Sequence, residues 1–284
     1  MKKEIDGENQ KKKKKVTVGD LIRNIILLIA IGVFLFSGFR LLSIFLEYKK
    51  GTDEYIDLRK YIVEDSNQTV LANQSSSQKI AESEQDVIED DSFPRLDVDF
   101  KSLMALNPDI IGWIRVMAVD EINYPLVQGS DNKKYLHETF QGTANSAGSI
   151  FVDYQASRDL TDDNTFIYGH NMKNLSMFGN LKSLHDKAVY EKSPYIIIYT
   201  AEKDYIYEIF SYHVVSVDDD SFTTYFNTRD EFQNYLNTVI RHSEYATNVE
   251  VTSEDKIITL STCTNDSTTR FLVHAKLIKV RNNG

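Results

Sequence analysis

A stretch near the end of the chain, Lys256 to Lys279, constrains the fold more than any other part of the sequence. Apolar and β-branched residues lead into a polar loop of turn-forming residues, and the residues after the loop alternate with the two-residue period of a strand. The stretch therefore predicts a β-hairpin. The only cysteine of the sequence, Cys263, ends the first strand and Arg270 begins the second, so the hairpin brings a thiol and a guanidinium together. A thiol beside a fixed positive charge is suited to act as a nucleophile next to an oxyanion-stabilising group.

The charge of the chain is unevenly distributed. The formal net charge is −10, although residues 1–20 hold seven lysines against four acidic residues. The acidic remainder disfavours nucleic acid as a partner, because phosphate contacts need basic patches. The sequence contains no glycine-rich phosphate loop, CxxC pair or HExxH motif, so we expect no cofactor and no metal site. The run Asp218 to Asp220 is expected to be solvated rather than to bind calcium.

The first 92 residues predict a membrane tether. We expect residues 1–20 to form a basic cytoplasmic segment, 21–46 a transmembrane anchor and 47–92 an extracytoplasmic stalk. The apolar run from Ile25 to Leu46 would span about 33 Å as a helix, which matches one hydrocarbon core, and the lysines before it favour a cytoplasmic N-terminus. A cleaved signal peptide is disfavoured because the run is long and no small-residue cleavage site follows. These features predict a single-pass membrane protein whose folded domain lies outside the cell.

The folded domain is expected to occupy residues 93–284 and to be mainly β. Many short strands with few helices favour a β-barrel or a sandwich with helical insertions. The predicted strands before the hairpin lie at 112–116, 124–128, 148–153, 165–168, 195–200 and 205–217, and the predicted helices at 97–106, 177–185 and 229–245.

A cysteine nucleophile needs a partner that handles protons, usually a histidine. His170 is one candidate, because it follows Gly169 at the end of a predicted strand, where a side chain can project into a cleft. His274, in the last strand, is the second candidate and shares a face with Arg270 if the alternation holds. Surface or structural roles are expected for the other histidines, namely His137, His185, His213 and His242.

Three motifs together resemble the signature of the sortases, the membrane-anchored cysteine transpeptidases of Gram-positive bacteria. They are TLSTC at 259–263, the arginine seven residues after that cysteine, and YGHN at 168–171. The segment NPDIIGWIRV at 107–116, the helical pattern at 177–185 and the insertion at 229–245 resemble class B members. The resemblance implies a sortase-like closed β-barrel with short helices, an N-terminal helix and a helix-bearing insertion before the last hairpin.

The resemblance also implies a role for each matching residue. Cys263 would attack the carbonyl after threonine in a C-terminal sorting motif, and His170 would protonate the leaving amine and then deprotonate the incoming one. Arg270 would hold the oxyanion or the substrate carbonyl, and Ser261 would line the substrate groove. The implied partners are a secreted surface protein with that motif and a peptidoglycan precursor amine, so the product is a protein attached to the cell wall.

Several other functions compete with this interpretation. A pilin-polymerising sortase would use a lysine of a second protein as the amine, and a simple cysteine peptidase would use water. A membrane-tethered β-domain that binds peptides would leave Cys263 inert. The joint presence of Cys263, His170 and Arg270 speaks against the last alternative.

Overall fold

A computed structural model describes residues 18–64 and 93–283 of the chain. These residues belong to two compact units, divided between Glu47 and Tyr48. The first unit contains most of helix α1, Val18–Leu58. One stretch of this helix is long and apolar enough to cross a membrane, judged by length and composition. Residues 1–17 of the predicted cytoplasmic segment lie outside the described residues.

The second unit begins with the end of α1, and this part of the chain packs on the folded domain. Tyr55 and Leu58 are buried in the main hydrophobic core. A 3₁₀ turn at Arg59–Tyr61 leads into strand β1, Ile62–Glu64, which pairs antiparallel with β2, Leu96–Val98. The predicted stalk, 47–92, therefore contains a portion that belongs to the same compact unit as the barrel, whereas its residues 65–92 lie outside the described part.

Within the described residues, eight strands form a ring in which each strand pairs with two neighbours. The order is β10-β8-β7-β3-β4-β5-β6-β9, and β9 returns to β10. The pairs β4–β5 and β6–β9 are parallel and the others antiparallel. The strands are β3 Ile110–Val116, β4 Val119–Val127, β5 Ile150–Val152, β6 Asn164–Tyr168, β7 Tyr195–Tyr199, β8 Lys203–Ser216, β9 Ile257–Cys263 and β10 Thr269–Asn282.

Within residues 93–283, four helices lie in the connections before and between the strands of the ring: α2 Phe100–Leu106, α3 Lys134–His137, α4 Lys187–Lys192 and α5 Arg229–His242. The insertion predicted before the last hairpin is α5, which the Thr228 hydroxyl caps by accepting from Glu231 N. The predicted helix at 177–185 differs from the structure, where a 3₁₀ turn at Leu181–His185 precedes α4. The physical reason is Met177, whose φ of 56° is left-handed and cannot begin a right-handed helix.

The core fills the ring with aliphatic and aromatic side chains. Trp113 of β3 is completely buried and donates from Nε1 to Oδ1 of Asn123 on β4 at 2.5 Å. Arg281 of β10 and Asp204 of β8 form a buried ion pair at 2.7 Å, away from the end of the hairpin that carries Cys263. Trp113 and Arg281 thus each have a polar partner inside the ring, which stabilises the frame that carries the loops.

Candidate active site

Parallel strands β6 and β9 bring the predicted histidine and cysteine to the same edge of the ring. Tyr168 pairs with Ser261, and Gly169 N donates to Ser261 O at 3.2 Å. His170 and Cys263 are each two residues beyond that pair, so both side chains leave the sheet at the same place. The register of two parallel strands thus joins two motifs that are far apart in the sequence.

Antiparallel strands β9 and β10 bring the third residue to the same edge. Arg270 is the ladder partner of Cys263, as the hairpin pattern predicted. Its Nη1 donates to the carbonyl oxygens of Ser267 and Thr269, each at 2.9 Å. The guanidinium is therefore oriented by its own loop, and its planar fork keeps further N–H donors for a ligand.

A cavity of about 250 Å³ lies where these strands end. His170, Cys263 and Arg270 all line it, together with the fourth predicted residue, the buried Ser261. The remaining lining residues are Asn132, Leu136, Phe151, Tyr168, Gly169, Phe222 and Thr262. The structure thus brings all four sequence-predicted site residues to one cavity with an apolar wall.

A hydrogen bond fixes the histidine ring. His170 Nε2 lies 2.8 Å from the carbonyl oxygen of Leu136. A carbonyl can only accept, so Nε2 carries the proton and donates it. Nδ1 has no hydrogen bond to any described residue and is the nitrogen that can exchange a proton with a ligand in the cavity.

Gly169 packs closely against two neighbouring side chains. A Cβ atom at this position would lie 2.5 Å from Cδ1 of Ile150 and 2.6 Å from Cδ2 of Phe178. Both contacts are far shorter than van der Waals separation, so a larger residue here would displace its neighbours. The glycine in YGHN therefore has a packing reason.

A small polar network forms another side of the cavity. The Tyr168 hydroxyl donates to Asp153 Oδ2 at 3.0 Å, and Asn132 Nδ2 donates to the same oxygen at 2.8 Å. Burial and the nearby Asp153 charge raise the pKa of Tyr168 well above its usual value, so its hydroxyl stays a donor. This network ties the loop that carries Asn132 to strand β6.

Sequence reasoning missed three cavity residues that lie outside the strands: Asn132, Leu136 and Phe222. Asn132 and Leu136 come from an irregular segment with only one short helix, and Leu136 contributes its backbone carbonyl, which any residue type could supply. Phe222 ends a 3₁₀ turn and stacks on Phe166 with the ring centroids 6.0 Å apart. Strand periodicity carries no signal for such positions.

The second histidine candidate lies elsewhere. His274 is completely buried, lies 2.9 Å from the Thr259 hydroxyl through Nδ1, and stacks on His213 with centroids 5.1 Å apart. It does not line the cavity that contains Cys263. Burial lowers the pKa of His274 well below its usual value, so the ring is neutral and packs as part of the core.

The acidic run before α5 has a local structural role. Asp219 accepts from Ser221 N at 2.8 Å and caps the 3₁₀ turn at Asp220–Phe222. In the described ranges, no group of three His, Cys, Asp or Glu side chains is arranged to hold a metal ion. The Asp219 carboxylate therefore acts here as a turn former.

Comparison with known proteins gives consistent matches. The sortase domain family model matches residues 114–278. Sortase B of Listeria monocytogenes is 32% identical over 254 residues, which cover 88% of this chain and 94% of that protein. A Bacillus anthracis sortase B structure in complex with AAEK1 is 30% identical, with a TM-score of 0.64, and covers 83% of this chain and 100% of that one.

A third match is a structure with a bound substrate. The structure of a Staphylococcus aureus sortase B-substrate complex is 34% identical, with a TM-score of 0.60, over 63% of this chain and 84% of that one. These matches confirm the predicted mainly β, sortase-like architecture, with its short helices and long apolar N-terminal helix. The family model covers more than half of the chain, and the Listeria relative is matched over nearly its whole length. The chain therefore belongs to the sortase family, class B.

Proposed function

We propose that the protein is a membrane-anchored cysteine transpeptidase that cleaves a C-terminal sorting motif after threonine and transfers the protein to a peptidoglycan amine. The observation that carries this proposal is the convergence of Cys263, His170 and Arg270 on one cavity through two strand pairings. The family is one of transpeptidases, and the matched S. aureus structure is a complex with substrate, which supports a peptide substrate for this protein.

In the first half-reaction, the Cys263 thiol gives its proton to His170 Nδ1, and the Sγ thiolate attacks the carbonyl carbon of the threonine. The tetrahedral oxyanion accepts hydrogen bonds from the positively charged Arg270 guanidinium. Collapse breaks the C–N bond, and the leaving amine takes a proton from His170 Nδ1. The products are a thioacyl enzyme and a free C-terminal peptide.

In the second half-reaction, an amine from a peptidoglycan precursor attacks the thioester carbonyl. His170 Nδ1 accepts the proton of the amine, the C–S bond breaks, and the Cys263 thiolate is released. An amide bond replaces an amide bond, so no nucleotide is consumed. The Nε2–H bond to Leu136 O holds the ring in one orientation, so Nδ1 is the nitrogen that gives and takes the proton in both steps.

The proposed anchor is the apolar part of α1. Its length and composition suit one membrane crossing, and the lysines before it favour a cytoplasmic N-terminus. The catalytic domain would then lie outside the cell, where its secreted client and the lipid-linked precursor are both available. The partly apolar cavity wall formed by Phe151 and Phe222 suits a peptide side chain next to the scissile bond.

A peptide assay tests the proposal. The full chain in detergent would be incubated with a mixture of threonine-containing sorting peptides, with and without a glycine or diaminopimelate-type amine. Mass spectrometry would read the products beside those of Cys263→Ala. Cleavage after threonine with an amine adduct, absent in the variant, is the expected result.

Two other outcomes would change the assignment. Cleavage with no adduct for any amine would indicate a cysteine peptidase that uses water. No cleavage of any peptide, together with a Cys263 that resists alkylation in the folded protein, would favour a peptide-binding β-domain. The full chain is used because Tyr55 and Leu58 belong to the core and a chain beginning at Phe93 would lose them.

A further inference from the structure

The end of α1 is hydrogen-bonded to the irregular segment 131–149, which carries the carbonyl partner of His170. The Tyr55 hydroxyl, which is buried, donates to Gly148 O at 2.6 Å and accepts from Phe140 N at 3.2 Å. One residue earlier, the Glu54 carboxylate accepts from the Thr139 hydroxyl at 2.8 Å and from Gln141 N at 3.0 Å. Two adjacent residues of a helix thus hold both ends of the loop 139–148.

That loop in turn holds the short helix α3. Ser149 N donates to Tyr135 O at 2.8 Å, and Asn145 N donates to His137 O at 2.9 Å. Gly148 has a φ of 56°, and a Cβ at this position would collide with Tyr135 O, so the loop fits tightly against α3. Leu136 lies between Tyr135 and His137, and its carbonyl accepts the hydrogen bond from His170 Nε2.

A second route runs from α1 to the residues after the histidine. The Tyr55 ring meets the Tyr124 ring edge-on, with centroids 5.3 Å apart, and the Tyr124 hydroxyl accepts from Met177 N at 3.0 Å. The next residue, Phe178, donates from N to His170 O at 3.0 Å. One turn from Tyr55, the Thr52 hydroxyl accepts from Asn174 Nδ2 at 3.2 Å. The same helix therefore contacts the surroundings of His170 from both sides.

We propose that Tyr55 is a positioning residue for His170, and that the end of α1 is a working part of the active site. This inference rests on the proposed transpeptidase function. Loss of the Tyr55 hydroxyl leaves Gly148 O and Phe140 N without their buried partner, so the loop 139–148 relaxes toward other contacts. Leu136 O then moves, and His170 loses the acceptor that selects its Nε2–H tautomer.

The test compares two tyrosine hydroxyls in the full chain in detergent. Tyr55→Phe removes the hydroxyl and keeps the ring. Tyr199→Phe is the matched control, because Tyr199 is equally buried and its hydroxyl donates to a backbone carbonyl, Pro94 O at 3.0 Å, away from the cavity. Both variants are compared with wild type for melting temperature, kcat, KM and the ¹⁵N signals of the His170 ring, assigned with His170→Gln.

Tyr55→Phe is expected to lower kcat about tenfold with KM within about twofold, and to convert the His170 ring signals from the Nε2–H tautomer to a mixture. Tyr199→Phe should lower the melting temperature about as much as Tyr55→Phe does. It should change neither kcat nor the His170 ring signals. A kcat that is unchanged in Tyr55→Phe, or one that falls with unchanged ring signals, would overturn the proposal.

The ring signals separate this proposal from the proposed function. If wild type forms no transpeptidation product, the function fails, yet a tautomer change confined to Tyr55→Phe still supports the positioning of His170. If wild type is active and both tyrosine variants behave alike in every measurement, the function stands and the positioning role fails.

Discussion

The β9–β10 hairpin and the irregular segment 131–149 line the same cavity, but different forces build them. The hairpin is a continuous ladder in which Ile257 to Cys263 pair with residues of β10, so backbone hydrogen bonds place Cys263 opposite Arg270. The segment has one short helix and is held by side chains from elsewhere, such as Tyr55 and Asn107. Cys263 is therefore positioned by register, whereas the position of His170 depends on contacts that come from distant parts of the chain.

The largest effect is expected on the hairpin side. Arg270→Lys should keep the fold and lower kcat/KM on the order of 10²–10³-fold, because a point charge replaces a planar fork that bonds Ser267 and Thr269 while lining the cavity. Steady-state kinetics and thermal melts measure this. The control is Arg241→Lys on the exposed face of α5, which should match wild type. Near wild-type turnover of Arg270→Lys would remove the assigned role of the guanidinium.

Removing the ion pair between Asp204 and Arg281, far from the cavity along β10, should lower stability and leave activity unchanged. Asp204→Asn removes the buried partner of Arg281 and should cost about 3 kcal/mol in free energy of unfolding. The β10 ladder between Arg281 and the site is unchanged, so kcat should stay within about twofold. Urea unfolding and peptide turnover give the two numbers. A large fall in kcat would mean that the ladder transmits strain to the site.

A substitution that removes a contact of the segment 131–149 should lower both the free energy of unfolding and kcat. Asn107 is buried, and its Nδ2 donates to the Tyr135 hydroxyl at 2.9 Å and to Phe140 O at 2.8 Å. Asn107→Ala should lower the free energy of unfolding by about 2 kcal/mol. It should also reduce kcat about threefold, because Tyr135 and Phe140 flank Leu136. If Asn107→Ala is as neutral for turnover as Asp204→Asn, the contrast between the two regions disappears.

The smallest effect concerns pH and the core of the β8–β10 pair. Burial and the neighbouring His242 lower the pKa of His213 to about 4 against an unfolded value of about 6.5, and Asp219 opposes this shift. The unfolded chain therefore binds the proton first, and stability is lost as pH falls from about 6.5 to about 4. The slope reaches at most about 1.4 kcal/mol per pH unit for this histidine, and little is lost above pH 6.5.

His213→Leu tests that slope. His213 Nε2 is buried and has no hydrogen-bond partner among the described residues, so an apolar replacement should be tolerated. Unfolding free energies of wild type and variant, measured at several pH values between 7 and 5, should differ in slope by close to one proton at the acidic end. His274, whose pKa is also lowered by burial, accounts for part of the remaining slope. Equal slopes for both proteins would contradict the assignment.

The comparison also explains which parts of the site the sequence could predict. Strand periodicity and the turn residues located the hairpin, and with it the pairing of Cys263 and Arg270. The junction after β6 identified His170, although only the sortase resemblance distinguished it from His274. The end of α1 was expected to belong to a stalk, because its apolar residues are scattered and their partners on the loop 139–148 are not visible in one sequence. Leu136 contributes its backbone carbonyl, which every residue type has, so its role could not be predicted from the sequence.

If Cys263 carries the acyl group, intact-mass spectrometry will detect it there. The full chain in detergent would be mixed with the peptide that it cleaves, without an acceptor amine, quenched in acid and mapped by peptide sequencing. We expect an adduct of the N-terminal peptide fragment on Cys263, removed by a later addition of amine and absent in Cys263→Ala. Cleavage that persists in Cys263→Ala, or an adduct on another residue, would contradict it.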